Sequence, residues 1–120
     1  MSTTLYQRLG GADGIARIVD DFVAAHLENP TIKSRFEYIK DIEHAKRMAR
    51  EFFSAGAGGP DPYTGKDMLA AHQGMNISEQ EYMAAMDDII GAMNKQKITE
   101  DAKNDVIAIL YSLKGNIIRV

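Results

Sequence analysis

Apolar residues recur at intervals of three and four along residues 14–27, which is the spacing of one face of a helix. They are Ile15, Ile18, Val19, Phe22 and Val23. Asp13 precedes this stripe and can cap the helix. Pro30 ends it, because the residue before a proline is pushed out of the helical region. The pattern predicts a long first helix and then a short irregular corner through Phe36 and Tyr38.

A second helix is predicted after Asp41, whose side chain can accept a hydrogen bond from a free backbone amide. One side of this helix carries residues at spacings of three and four, and the middle of that side is small: Ile42, Ala45, Ala49, Phe52, Phe53 and Gly56. The stretch GAGGPDPYTG at residues 56–65 predicts a loop, because glycine and proline interrupt helices. A helical segment of about two turns fits between Lys66 and Gly74.

Two further helices are predicted in the second half of the chain. Ser78 and Glu81 form the S-x-x-E pattern of a capping box, and Thr99 precedes two acidic residues that favour a helix start. The inner faces are Tyr82, Met86, Ile89, Ile90 and Met93 in one helix, and Val106, Ile109, Leu110, Leu113 and Ile117 in the other. Because no stretch alternates with the period of a strand, the fold class is predicted to be all-α.

Composition narrows the classes of function. The 120 residues contain no repeat or linker, so residues 1–120 are expected to form one domain. A net charge of -3 without a basic cluster argues against nucleic-acid and anionic-membrane partners. The absence of cysteine excludes disulfides and thiolate chemistry. No apolar run is long enough for a membrane span, and a cytoplasmic protein is expected.

Three histidines are the candidates for metal chemistry. His26 extends the inner stripe of the first helix, where it is either a hydrogen-bonded core residue or a ligand. His44 lies at the start of the second helix, where a solvated histidine is the simpler interpretation. His72 lies in a helix too short to be stable alone, so something must pack on it, and a flat apolar cofactor would suit. One histidine by itself leaves open whether it binds a metal.

Nucleotide and nucleophile motifs are not found. The glycine-rich loop lacks the Gly-Lys-Ser/Thr ending of a phosphate-binding loop, and GADG is too short for a dinucleotide fingerprint. No serine lies in a nucleophile elbow.

Several motifs, taken together, resemble the group I truncated globins in order and spacing. These are LYQRLGG at residues 5–11, the VDDF of the first helix, the Phe36 corner, GGPDPYTGKDM at residues 58–68 and AHQGMNIS around His72. The resemblance covers nearly the whole chain. It implies a two-over-two helical sandwich that holds haem b between the second long helix and the segment with His72.

The resemblance also implies site residues. His72 matches the proximal iron ligand, Phe36 the aromatic residue that wedges against the porphyrin, and Tyr63 the tyrosine of the glycine loop. The remaining residues expected to contact haem are Ala45, Met48, Ala49, Phe52, Phe53, Met68, Leu69, Ile77, Tyr82, Met86 and Ile90.

The distal side differs from the pattern of the group. Val23, Ala45 and Ala49 stand where these globins usually have a tyrosine and glutamines. A dioxygen ligand carries partial negative charge, and each missing donor would speed its release roughly tenfold. The missing donors argue against a simple oxygen-storage role. In one alternative, Met48 or, as second choice, His44 takes the sixth iron position. In the other, the pocket stays open and apolar, and Tyr38 in the adjacent corner is able to move in and donate a hydrogen bond.

Three functions remain. The first is a globin that binds O2, NO and CO, with oxygen transport or nitric-oxide dioxygenase activity as implied by relatives; dioxygenase turnover would require a reductase partner. The second is a six-coordinate haem protein for electron transfer or redox sensing, which a His72/Met48 pair would favour. The third is a haem-free interaction module. A monomer or weak dimer is expected.

Overall fold

The computed structural model describes residues 4–60 and 62–120. Within them the chain forms seven α-helices and a final 3-10 turn, and the one β contact is an isolated parallel bridge between Ile77 and Ile118. The helices are α1 Leu5–Arg8, α2 Gly11–Glu28, α3 Lys33–Phe36, α4 Ile42–Gly56, α5 Met68–His72, α6 Glu79–Lys95 and α7 Glu100–Leu113, and the 3-10 turn is Lys114–Asn116. The prediction of an all-α chain is confirmed for the described residues.

The first long helix begins earlier than its apolar stripe indicated. Gly10, with a left-handed φ of 96°, is the residue before the helix, and Asp13 lies inside the first turn rather than capping it. Gly14 is buried where a Cβ would lie 2.1 Å from the carbonyl oxygen of Leu9. The close approach of α1 to α2 therefore depends on glycine at this position. The predicted end before Pro30 is confirmed, since α2 stops at Glu28.

The segments between α2 and α6 differ in length and regularity from the prediction. The corner after Pro30 is not irregular, because residues 33–36 form α3. Asp41 caps α4 as predicted, accepting a hydrogen bond from the backbone of His44 at 3.0 Å. Helix α5 is little more than one turn, since only Met68–His72 is helical. Asp67 caps its start by accepting a hydrogen bond from the backbone amide of Ala70.

The second half of the chain follows the predicted helices closely. Ser78 and Glu81 form the predicted capping box at the start of α6. Helix α7 starts after Thr99, although the threonine side chain makes no capping hydrogen bond to the backbone. The helix stops at Leu113, so buried Ile117 lies beyond it, after the 3-10 turn, and not within the last helix as predicted.

Helix α2 is central, packing on α4 and on α6, while α7 packs on α6. The inner face of α2 is fully buried, with Ile15, Ile18 and Val19 at 2% exposure or less. Helix α4 differs, because Ser54 is its only buried residue and its apolar face is half-buried. A half-buried apolar face indicates that α4 borders open space rather than a filled core. No described helix is long and apolar enough to cross a membrane.

Candidate functional site

An apolar cavity of about 520 Å³ lies between α4, α5 and the inner faces of α2 and α6. Its size is within the range of small-molecule sites. Its wall is largely hydrocarbon and aromatic. The lining residues are Phe22, Val23, His26, Ile32, Arg35, Phe36, Ile39, Ile42, Ala45, Met48, Ala49, Phe52, Phe53, Tyr63, Met68, Ala71, His72, Ile77, Glu81, Tyr82, Ala85, Ile89 and Ile117.

His72 stands on the cavity wall at the last turn of α5. Its Nδ1 lies 2.8 Å from the carbonyl oxygen of Met68, one turn earlier. A carbonyl only accepts hydrogen bonds, so Nδ1 carries a proton, and in the neutral ring the free lone pair is therefore on Nε2. This arrangement orients a histidine for metal binding through Nε2. The short helix therefore orients the His72 ring so that Nε2 is the nitrogen available to an iron atom.

The structure brings most of the predicted site residues together on this wall. Four do not line it, and they are His44, Leu69, Met86 and Ile90. Leu69 is 45% exposed, because Met68 and His72 share the inner face of α5 and Leu69 is turned away. Met86, a buried residue of α6, lines a separate cleft beside Tyr111, and half-buried Ile90 packs against the core.

The α4 side of the cavity is apolar. Ala45 and Ala49 of α4 line the cavity, as does Val23 of α2, and none of the three has a polar side-chain atom. Met48 also reaches the wall. Tyr38 does not, since it is 83% exposed, and its hydroxyl can donate a hydrogen bond into the cavity only if the corner moves.

Both tyrosine hydroxyls on the wall are already engaged by the chain. Tyr63 donates to the carbonyl of Lys66 at 2.6 Å, and Tyr82 donates to the carbonyl of Leu110. Burial raises the pKa of both phenols. They contribute ring surface to the cavity rather than free hydrogen-bond donors.

A second cleft, of about 560 Å³, adjoins the cavity at its outer edge. The two share Met48, Tyr63 and Ala71 in their linings. The cleft adds three basic side chains at the edge of the apolar space, which are His44, Arg47 and Lys66. His44 does not line the inner cavity. It can act as the alternative iron ligand only if its side chain changes position.

Sequence reasoning missed the ion pair on the wall. Arg35 from α3 contacts Glu81 from α6 through Nε at 2.6 Å and through Nη2 at 3.0 Å. Its remaining Nη1 donates to the carbonyl of Met75 at 2.8 Å. The guanidinium thereby ties the corner to the start of α6 and to the segment after His72. The capping-box pattern indicated a local role for Glu81, but no sequence signal joined it to Arg35.

Other missed wall residues are apolar residues that no local pattern assigned to a site. Ile32 and Ile39 flank α3, and Ile117 comes from the end of the chain. The parallel bridge from Ile77 to Ile118 brings this last segment beside the residues after α5. An apolar residue in a corner is the only signal that could have indicated them.

A family model described as bacterial-like globin matches residues 4–119. The group 1 truncated hemoglobin of Tetrahymena pyriformis is 26% identical over 107 residues, covering 89% of this chain and 88% of that protein. The group 1 truncated hemoglobin GlbN of Synechocystis sp. is 27% identical over 113 residues, covering 89% of each.

Solved structures agree on the fold. The crystal structure of truncated hemoglobin from Tetrahymena pyriformis in the Fe(III) form matches with a TM-score of 0.93 at 24% identity, over 98% of this chain and 100% of that chain. The chain therefore belongs to the bacterial-like globin family as a haem-binding globin with haem b as its cofactor, is similar to the group 1 truncated hemoglobins, and has the two-over-two helical fold.

Proposed function

We propose that this chain binds the diatomic gases O2, NO and CO at a haem iron held by Nε2 of His72. The observation that carries this proposal is the hydrogen bond of His72 Nδ1 to the carbonyl of Met68, at 2.8 Å. It fixes the tautomer of the neutral ring, in which Nε2 carries the free lone pair, and this ring is half-buried and lines the cavity.

The residues around this imidazole fit haem. The wall offers aromatic and aliphatic surface for a flat apolar ring, including Phe36, Phe52 and Phe53. The basic groups of Arg47 and Lys66 stand at the outer edge, where they can hold the carboxylates of the propionates. When bound, haem supplies an iron atom with a coordination position for a gas.

The α4 side determines which gases are retained. Because Val23, Ala45 and Ala49 offer no hydrogen-bond donor, they exclude water and leave an apolar space for a ligand. CO and NO do not depend on a donor for retention. Dioxygen gains from one, so this pocket favours CO and NO over long retention of O2.

A second function is favoured by the position of Met48. Its side chain reaches the cavity from α4, on the wall that also carries Ala45 and Ala49. A thioether that joined His72 at the iron would raise the reduction potential and favour electron transfer or redox sensing. Met48 is better placed for this than His44, which lines only the outer cleft.

Hemin titration of the wild type, His72→Gly and Gln73→Ala tests the proximal assignment. Gln73 is exposed and follows His72 without lining the cavity, so its variant is the matched control. We expect stoichiometric uptake and a histidine-ligated spectrum in the wild type and in Gln73→Ala. His72→Gly should lose this spectrum and regain it when imidazole is added. A histidine-ligated spectrum in His72→Gly without imidazole would show that another residue holds the iron.

A further inference from the structure

His26 is a second histidine on the wall of the haem cavity, and ligation by His72 leaves it without a role. It is 4% exposed and lies between two aromatic rings. Its ring stacks on Phe36 at 4.9 Å between centroids and contacts Phe22 at 5.3 Å. The apolar stripe of α2 predicted its burial, and a hydrogen-bonded core residue was one interpretation of it. The structure adds that its ring is also part of the cavity wall.

A carboxylate from the neighbouring helix determines the orientation of the His26 ring. Nδ1 lies 2.8 Å from Oδ2 of Asp88 on α6. Asn29 donates to both oxygens of Asp88, at 3.3 and 3.2 Å, and so holds that carboxylate in place. An ionised carboxylate only accepts hydrogen bonds, so Nδ1 of His26 carries a proton.

The other ring nitrogen of His26 is open. Among the described residues no group forms a hydrogen bond with Nε2. This nitrogen is also not sealed inside the protein, because no fully buried side-chain nitrogen or oxygen lacks a partner in the described part of the chain. Its accessible side is the cavity, since His26 lines that space while Asp88 and Asn29 do not. Burial lowers the pKa of His26, and Asp88 only partly offsets this, so the environment favours the neutral imidazole. Nε2 therefore presents a free lone pair to a largely apolar space.

Other titratable groups on the wall do not compete for this role. Arg35 and Glu81 are paired with each other, and both phenols are bonded to backbone carbonyls. The Nε2 of His72 is required by the iron in the proposed function. These titratable wall residues are Arg35, Tyr63, His72, Glu81 and Tyr82.

We propose that His26 is the base that admits weak-acid ligands, such as hydrogen cyanide and hydrogen sulfide, to the ferric haem. An apolar cavity favours entry of the neutral acid, because burying a free anion without a partner is costly. Nε2 accepts the proton as the bond between hydrogen and carbon, or hydrogen and sulfur, breaks. The electron pair of the broken bond stays on carbon or sulfur, and haem, when bound, would supply the iron that takes this atom as cyanide or hydrosulfide.

Asp88 has two roles in this step. Its negative charge stabilises the imidazolium that forms when Nε2 accepts the proton. Its side chain is 15% exposed, whereas that of His26 is 5% exposed, so the pair extends from the cavity towards solvent. Once His26 is protonated, Nδ1–H can transfer its proton through Asp88 to water. No oxidant or reductant is needed, because the iron stays ferric.

The test compares association rates of hydrogen cyanide and hydrogen sulfide to ferric protein with those of CO to ferrous protein, all at pH 7. Variants are His26→Phe, His26→Gln and Asp88→Asn. Glutamine keeps a donor for Asp88 without a basic nitrogen, which guards against a folding defect in His26→Phe. Asp21→Asn is the matched control, because Asp21 also joins α2 to α6, through Gln96 and Lys95, but does not line the cavity.

We expect the ratio of the weak-acid rates to the CO rate to fall at least tenfold in His26→Phe and His26→Gln, and to fall in Asp88→Asn. Asp21→Asn should keep the wild-type ratio. Equal ratios in the wild type and both His26 variants, with haem bound, overturn the role of His26. Failure of the wild type to take up haem would instead overturn the proposed function, and the role of His26 with it.

A second readout does not depend on ligand rates. In the diamagnetic ferrous CO form, 15N NMR of the imidazole should show a protonated Nδ1 and an unprotonated Nε2 for His26. Asp88→Asn should shift its titration to lower pH, because the neutral amide no longer stabilises the imidazolium. A proton on Nε2 in the wild type at pH 7 would overturn the assignment of His26 as a base.

Discussion

Arg35 and Glu81 form a two-point ion pair on the cavity wall, with nitrogen to oxygen distances of 2.6 and 3.0 Å. The same carboxylate accepts from the backbone of Ser78 at 2.9 Å, and the same guanidinium donates to the carbonyl of Met75. The Arg35 side chain is 30% exposed and that of Glu81 17%. One partly buried pair thus joins α3, the start of α6 and the segment that follows His72.

This pair predicts a loss of stability in acid. The hydrogen bonds from Arg35 and then from the Ser78 backbone lower the pKa of Glu81 from 4.5 to about 2. Because the folded pKa is the lower one, the stabilisation is complete above the ordinary pKa and is lost as pH falls from about 4.5 towards 2. Glu81→Gln should lower the free energy of unfolding by about 1–3 kcal/mol at pH 7, and by less at pH 3.

Urea unfolding of both proteins at pH 7 and pH 3 measures this difference. Glu79→Gln is the matched control, because Glu79 is an exposed carboxylate on the same helical turn. Its effect should stay within about 0.5 kcal/mol. A gap between wild type and Glu81→Gln that is as large at pH 3 as at pH 7 would contradict the lowered pKa.

Gly14→Ala should destabilise the fold by about 1–3 kcal/mol, because its Cβ would lie 2.1 Å from the carbonyl oxygen of Leu9. Gly91→Ala is the contrasting helical variant, since nothing lies within 4 Å of its added Cβ. It should stabilise the protein by about 0.5–1 kcal/mol. Thermal or urea unfolding measures both. Equal effects of the two substitutions would show that α1 and α2 are not closely packed at Gly14.

Val23→Tyr should slow dioxygen release about tenfold, because it puts a phenol on the cavity wall at a position of α2 that now has no hydrogen-bond donor. Val23→Phe is the control, since it fills the same space without a hydroxyl. Stopped-flow dissociation of O2 and CO measures the effect, which should be larger for O2 because that ligand carries more negative charge. An equal slowing by phenylalanine would mean that volume, not hydrogen bonding, controls release.

Met48 separates the two candidate functions. The gas-binding proposal predicts a five-coordinate ferrous spectrum before CO is added, with CO then binding directly. Electron transfer through a His72/Met48 pair predicts a six-coordinate low-spin ferrous spectrum that Met48→Leu converts to five-coordinate and that His44→Ala leaves six-coordinate. Absorption spectra of the three proteins distinguish these outcomes, and the second would replace gas binding as the proposed function.

Local sequence signals predicted the elements and their order because those signals depend on neighbouring residues. The Asp41 cap and the Ser78–Glu81 capping box act over three residues, and both are formed. The apolar stripe of α2 needs only the period of a helix, and its residues are buried. Where the cap came from backbone geometry, as at left-handed Gly10, the predicted start near Asp13 was wrong.

The sequence by itself determined an all-α chain and, through its resemblance to the group I truncated globins, the candidate role of His72. Only the tertiary structure decided which side of α5 faces the cavity, and so left Leu69 outside. It also decided that His26 meets Asp88, 62 positions away, and that Arg35 meets Glu81, 46 positions away. Helix periodicity and caps follow from neighbouring residues, whereas these contacts depend on how α2, α3 and α6 pack together, which no local pattern records.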